Sequence, residues 1–248
     1  MSKPSQIELL DGTRISILFE DRSVLAMDKP AGWMLAPDSW ENTGRNLQLA
    51  LASSLRAGPH WARARHLTYL RFVHRLDAET SGVLLLARNA GALQAYSRLF
   101  ATRRVEKRYL AVVQGTPRAS EWTCRLPIGS DPGRLGRMKI DRRDGKEAET
   151  RFQVLHAGSG SVLLQVHPIT GRTHQIRLHL AASGHPVVGD PLYGPVAPSH
   201  QRDQPDLALR ASLLAYPDPF QKRFVRIQAP VADFCRRYGF EPQTAGST

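Results

Sequence analysis

The sequence predicts an α+β domain. Three observations carry that expectation: strand-length apolar runs over residues 83–87, 107–113, 161–167 and 224–230, helical stretches over 47–55, 90–101 and 172–182 set between them, and Gly, Pro, Asn and Asp at the joins. At 248 residues and 42% hydrophobic content the chain can build one large core or two modest ones, and a single domain over 1–248 is the simpler reading. Its core is expected over about 20–232, with a disordered tail over 241–248.

Residues 7–20 alternate loosely between apolar and polar positions around Asp11-Gly12, the pattern of a short strand pair joined by a turn. The apolar residues 24–27 then lead into Asp28, Lys29, Pro30, Ala31 and Gly32, where Pro30 and Gly32 impose a turn and Lys29 offers a cation beside it. A polar, turn-rich stretch over 37–46 precedes the helix at 47–55, which Gly58-Pro59 ends. Residues 60–66 interleave Trp61 with His60, Arg63, Arg65 and His66. Such a patch is either a solvated loop or a surface on which Trp61 stacks against a base while the arginines meet phosphate.

Residues 83–87 read as a buried strand. The helix at 90–101 follows, with Leu93, Ala95, Tyr96, Leu99 and Phe100 at helical spacing and Arg103 and Arg104 at the negative end of its dipole. A strand over 107–113 begins in cations. Residues 118–149 hold no long apolar run, and short strands at 135–140 and 148–154 flank Asp144-Gly145, which predicts a hairpin. The strand at 161–167 turns at 168–171 into the helix at 172–182, which stops before Ser183-Gly184. Residues 185–194 form a Gly/Pro-punctuated turn, 195–206 a polar loop, 207–216 a strand or helix, and 224–230 a last strand.

Charge narrows the function. With 34 basic against 22 acidic residues the formal net charge is +12, which points to a polyanionic partner such as nucleic acid, and an Arg-rich surface suits bidentate phosphate contacts. Cys124 and Cys235 share no ligand or disulfide spacing and read as packing residues in a reducing compartment. No signal-like or membrane-spanning run is found, so a cytoplasmic protein is expected. P-loop, GxGxxG and HExxH patterns are absent. His174 and His179 stand five apart with no acid near them, so no metal is expected.

Two acid-poor windows mark the candidate site. Between Asn42 and Val105 the acids are Asp77 and Glu79 alone, set among ten arginines. Such a field favours a charged carboxylate, and Asp77 lies on the loop entering the strand at 83–87, where a rigid scaffold can present a reactive group. Between Glu149 and Asp190 there is no acid, but there are Arg151, Arg172, Arg177 and five histidines. A strand–turn–helix with Arg172 at the helix N-terminus predicts a phosphate site, and His174, Arg177 and Leu178 would share one helix face.

The run His74-Arg75-Leu76-Asp77, followed by Thr80-Ser81-Gly82 and the apolar strand, resembles the active-site motif of the RluA-type pseudouridine synthases. Four further stretches agree with that resemblance: Lys29 to Gly32 is similar to the family's KPxG, Lys107 to Ala111 to its K-x-Y-L-A, Gly171 to Arg177 to its GRTHQIR at every position, and Gly189 to Gly194 to its GDxLYG. The resemblance implies a mixed, mostly antiparallel sheet flanked by helices and loops, with an active-site cleft crossing it. It implies that Asp77 is catalytic, that Tyr109 stacks on the target base, that Arg177 is the charge partner of Asp77, and that Arg75 fills the place of a flipped-out uridine. Lys29, Arg172 and His174 join Arg75 as expected substrate-binding residues.

The implied reaction isomerises uridine to pseudouridine in structured ribosomal or transfer RNA. It needs no cofactor and no metal, and a monomer is expected. Arg210 stands where the family usually has histidine, and the S4-like N-terminal RNA-binding module of some members is expected to be missing. Two other readings compete: an RNA-binding protein on the same fold without catalysis, which intact Asp77, Tyr109 and Arg177 argue against, and a glycoside-type hydrolase using Glu79 as its second acid.

Overall fold

The computed structural model describes residues 3–35, 45–134, 136–195 and 206–241. Most of the loops expected over 37–46 and 195–206, and the tail after Glu241, lie outside these residues. The architecture is a mixed, mostly antiparallel sheet with few helices, an α+β fold as expected. The chain divides into two compact units, Met1–Glu106 with Leu213–Ala229, and Lys107–Ser212 with Pro230–Thr248.

In the first unit β1 (Gln6–Glu8) pairs antiparallel with β2 (Arg14–Glu20) across the expected turn, where the Asp11 carboxylate accepts the Thr13 amide. β2 pairs with β3 (Val24–Lys29). Helix α1 (Leu47–Ala57) is capped by the Asn46 side chain at its start and by Gly58, at φ 63°, at its end. After α2 (His60–Arg63) and β4 (Arg71–Phe72) comes β5 (Ser81–Ala87), which pairs antiparallel with β3 and β4. Its residues from Gly82 on are all buried, so the strand reads as an unbroken apolar run rather than an alternating one. Helix α3 (Ala90–Ala101), capped by Asn89, lays Ala92, Tyr96 and Leu99 onto a core that includes Val24, Ala26, Val83 and Leu85.

The second unit begins with β6 (Glu106–Gln114), β7 (Glu121–Cys124), β8 (Ile128–Ser130), β9 (Met138–Ile140), β10 (Thr150–Ala157) and β11 (Ser161–Pro168). Four of these strands lie in the antiparallel order β6-β11-β10-β7 around a core of Val112, Phe152, Leu164 and Val166. Helix α4 (Gln175–Ala182) follows. Strand β12 (Leu209–Pro217) and β13 (Phe224–Gln228) pair antiparallel over Leu213 to Pro217 in the first unit, and α5 (Ala232–Arg237) closes the described chain. The sequence reading of the last strand stopped short of α5.

Two expectations are corrected. Residues 135–140 and 148–154 do not form a hairpin: β9 pairs with β8, and β10 pairs with β7 and β11. The turn at Asp144-Gly145 exists, built by the Asp141 carboxylate accepting the Arg143 and Asp144 amides. It returns the chain onto Ile128, whose amide and carbonyl bond Lys146, and β10 is left to bury Thr150 and Phe152 in the larger sheet. Nor is the patch at 60–66 a solvated loop or a stacking surface at Trp61 and Arg65. Trp61 is buried and donates its indole N–H to the Glu8 carbonyl at 2.9 Å. The buried Arg65 holds Glu20 through Nε at 2.7 Å and also bonds the carbonyls of Pro4 and Trp61. The cation that looked available for phosphate instead ties α2 to β2.

This assignment predicts that Arg65→Met lowers stability by roughly 3 kcal/mol, because Glu20 and two carbonyls lose a buried donor. RNA affinity and its salt slope should not change. Titration of RNA at several salt concentrations, beside thermal melts, checks both; a slope reduced by about one with no loss of stability would return Arg65 to the phosphate-contact reading.

Candidate active site

Residues 73–80 form a loop fixed from three sides within the first unit. At its entrance the Val73 amide bonds the Leu85 carbonyl, and the Leu85 amide donates to Nε2 of His74 at 3.1 Å, which makes Nε2 the bare nitrogen of that ring. The His74 ring stacks on Phe100 with centroids 4.7 Å apart. At its exit the loop is held from β3. Lys29 is wholly buried and its ammonium donates to the carbonyls of Pro30 (3.0 Å), Ala78 (2.7 Å) and Thr80 (2.9 Å). The Gly32 amide adds a second donor to the Ala78 carbonyl at 2.9 Å, from a backbone with φ 80° that side chains seldom adopt.

Asp77 sits half-buried inside this frame, one residue before the doubly held carbonyl, and the neighbouring Arg75 is exposed. Burial pulls the Lys29 ammonium down to about 8, against the pull of the Glu79 and Asp77 charges, which raise it. Lys29 was expected to contact substrate. Without exposed surface and with its donors committed to three carbonyls, it serves instead to position the loop that carries Asp77.

In the second unit a segment runs from the end of β11 through α4 to Gly194. The helix begins at Gln175, not at 172, because His174 adopts the left-handed conformation at φ 54° and Gln175 folds its side chain back. Gln175 Oε1 accepts from the Thr170 hydroxyl (2.7 Å) and the Arg172 amide (2.9 Å), and its Nε2 donates to the Glu149 carbonyl and the Thr150 hydroxyl, both at 2.9 Å. Thr150 bonds Nδ1 of the buried His179 at 2.9 Å, and His179 Nε2 reaches the Leu126 carbonyl at 2.8 Å. Since a carbonyl only accepts, Nε2 carries the proton and Nδ1 accepts from Thr150, which fixes the direction of every bond from Gln175 to Leu126. Burial lowers the His179 pKa, in keeping with a neutral ring. With the Arg172 amide taken by Gln175 and its Nε donating to the Glu147 carbonyl, the phosphate site expected at a helix start on Arg172 is not formed by that amide.

Arg177, two residues on from Gln175, lies on the opposite side of α4. Its Nε and Nη2 grip the two oxygens of Asp190 at 2.8 and 2.7 Å, with both side chains fully buried. Burial pushes the Asp190 carboxyl up, but the Arg177 hydrogen bonds and charge, with the amides of Leu192 and Tyr193, outweigh it and leave it below the usual carboxylate range. Tyr193 packs beneath the Arg177 guanidinium, and its hydroxyl accepts the Met138 amide and meets His174 Nδ1, each at 2.9 Å. Gly194 is required there, since a Cβ would lie 2.5 Å from the Asp190 carbonyl. Tyr109 is half-buried on β6 opposite Val166, and the neighbouring Lys107 ammonium bonds the Thr170 carbonyl at 3.0 Å.

The sequence family described as RNA pseudouridylate synthase matches residues 23–182, which hold the Lys29 turn, the Asp77 loop, Tyr109 and α4. The chain belongs to the RNA pseudouridylate synthase family. Ribosomal large subunit pseudouridine synthase D of Nitrosomonas europaea is 34% identical over 226 residues, 88% of this chain and 62% of that protein. Ribosomal large subunit pseudouridine synthase C of Escherichia coli O157:H7 is 33% identical over 227 residues, 89% of this chain and 68% of that protein. Among solved structures, human RNA pseudouridylate synthase domain containing 1 superposes with a TM-score of 0.67 at 33% identity, covering 87% of this chain and 83% of that one.

Within this synthase-family chain, sequence reasoning missed Asp190, Gln175, Thr150 and His179 as supports. Asp190 had a signal, since it is the acid that closes the second acid-poor window. The Thr150–His179 contact joins residues 29 apart and had none. Arg210, where the family usually has histidine, is buried and donates Nε to the Pro230 carbonyl at 2.8 Å.

Because Arg177 and Asp190 are both buried, Arg177→Met and Asp190→Asn should each cost about 3–5 kcal/mol, and the double variant less than their sum. The pH sign follows from the lowered carboxyl: the pair's stability is present above the unfolded carboxylate value and is lost as pH falls through the lower folded value. Urea titrations of the four proteins at neutral and acidic pH check this, and additive losses at neutral pH would contradict it.

Proposed function

We propose that the chain isomerises uridine to pseudouridine in large-subunit ribosomal RNA, the RNA named for its relatives, with Asp77 as the catalytic residue. The reading rests above all on one observation: Asp77 lies on a loop clamped by Lys29, Gly32 and His74, beside an exposed arginine, within the matched family segment. The C1′–N1 bond of the target breaks, the uracil turns, C5 bonds C1′, and the C5 proton leaves as N1 gains one. Nothing is added or removed overall, so the reaction calls on no redox partner and no nucleotide.

Asp77 acts on the sugar as an ionised carboxylate, by attack at C1′ or by removing the 2′ proton. Arg75 occupies the gap left by the flipped uridine, which must leave its stack before either step. Tyr109 stacks on the uracil, Arg172 and His174 bind the RNA beside it, and Arg177 compensates the Asp77 charge, as the family resemblance gives their roles. The protein works as a cytoplasmic monomer without metal. No helix among the described residues is long and apolar enough to cross a membrane.

Replacing Asp77 by asparagine keeps the shape and removes the charge. Asp77→Asn should therefore abolish pseudouridine formation, a loss of at least about 10³-fold in kcat, with melting temperature and RNA affinity close to wild type. Pseudouridine mapping of large-subunit RNA incubated with each protein checks it. Comparable turnover by the variant would refute the assignment, and a wild-type protein that bound this RNA but left every uridine unchanged would favour the non-catalytic reading.

A further inference from the structure

The hairpin between β12 and β13 carries a surface that the reaction leaves unused. Its tip, Asp218 to Arg223, is hydrogen-bonded throughout to one residue: the buried Asp218 accepts the Phe220 and Gln221 amides through Oδ1 and the Arg223 Nε through Oδ2, and its own amide bonds the Arg223 carbonyl. Arg223 also grips Asp21 at 2.7 Å, which anchors the tip to the turn between β2 and β3. Both nearby acids are thereby paired with one arginine, a cluster that keeps one negative charge. On this frame Phe220 and Phe224 stand 55% and 63% exposed, the two aromatic members of the exposed large hydrophobics among the described residues.

The polar residues around those rings are of one sign. Lys222, Arg226 and Arg22 are exposed and have no ion pair among the described residues. β13 alternates buried Val225 and Ile227 with outward Phe224, Arg226 and Gln228, so aromatic ring, cation and amide follow one another along one face. Phe220 leans on the Tyr96 ring with centroids 6.0 Å apart, which holds it in place while leaving its outer face open.

Rings interleaved with unpaired cations fit a strand of unstacked nucleotides, whose bases stack and whose phosphates meet the cations. An apolar protein partner would gain less from a face that keeps a net positive charge after Asp21 and Asp218 are counted. We propose that this hairpin is a second RNA-docking surface, holding unpaired nucleotides at a distance from the target uridine.

Its place in the first unit sets that distance. Asp21 caps the start of β3 at Val24, which pairs with Ala87, while Lys29 at the other end of β3 pairs with Gly82 beside the Asp77 loop. The hairpin therefore sits at the end of β5 remote from Asp77, roughly 20 Å away at about 3.3 Å per strand residue. That separation corresponds to several nucleotides.

This proposal rests on RNA as the substrate, but its test needs no turnover, so it can fail while the isomerase assignment stands. Fluorescence anisotropy with a labelled twelve-residue oligouridylate reads the affinity of the full chain. Phe220→Ala/Phe224→Ala should weaken binding about tenfold or more, and Phe220→Trp/Phe224→Trp should retain it, since stacking needs a ring and not phenylalanine. Lys222→Gln/Arg226→Gln should reduce the salt slope by up to about two. Unchanged affinity in the alanine variant, with wild-type melting, would overturn the proposal, as would its failure to be restored by tryptophan. So would a sedimentation shift from dimer to monomer in the alanine variant at constant RNA affinity, which would make the face a contact between copies.

Discussion

The loop that bears Asp77 depends on a single buried ammonium. An isolated charge inside a protein is costly, and Lys29 is tolerated because the chain turns three carbonyls toward it, two of them from the loop itself. The dependence runs both ways. The carbonyls of Ala78 and Thr80 would be buried without a donor if the lysine were absent, and Glu79 and Asp77 stabilise the cation that fixes their own loop. A turn motif, a strand end and a carboxylate are thus coupled through one side chain. Its proton is held loosely, since burial brings the group to about 8, where three donors become two.

A similar economy governs the rest of the electrostatics. Although the chain carries twelve more basic than acidic charges, many of its acids are matched to a particular arginine: Glu20 to Arg65, Asp190 to Arg177, Asp21 and Asp218 to Arg223, Glu149 to Arg125 and Arg151. Several of these pairs are structural. The positive excess then falls to exposed groups such as Arg75, Arg22, Lys222 and Arg226, where it can act on a polyanion. Around α4 the design differs, because the buried His179 is kept neutral and works through directed hydrogen bonds that hold the helix carrying Arg177.

Local chemistry made much of this readable in the chain. α3 spans the helical periodicity from Ala90 to Ala101, the stop of α1 is a left-handed glycine, and β5 is the apolar run after Asp77. Long-range pairing was not readable. Nothing near Arg65 announces Glu20, 45 residues earlier, and so a cation beside a tryptophan looked like an RNA contact when both were core. The same ambiguity worked in reverse at Phe224, which read as the start of an apolar strand and stands in solvent. Short strands fared worst, since β9 found its partner in β8 across a loop that its own apolar pattern does not encode. Lys29 was singled out by its turn, but only its burial against the Ala78 and Thr80 carbonyls in the folded chain shows that it faces inward.

The central claim, that a buried Lys29 ammonium holds the Asp77 loop, is tested most directly by an NMR titration of the lysine side-chain resonances alongside the backbone amides of Ala78 and Thr80. The account predicts that Lys29 titrates with a midpoint near 8 and that the Ala78 and Thr80 amides shift with the same midpoint, as the third carbonyl loses its donor. A Lys29 midpoint at the usual lysine value of about 10.4, with loop amides indifferent to it, would contradict the account.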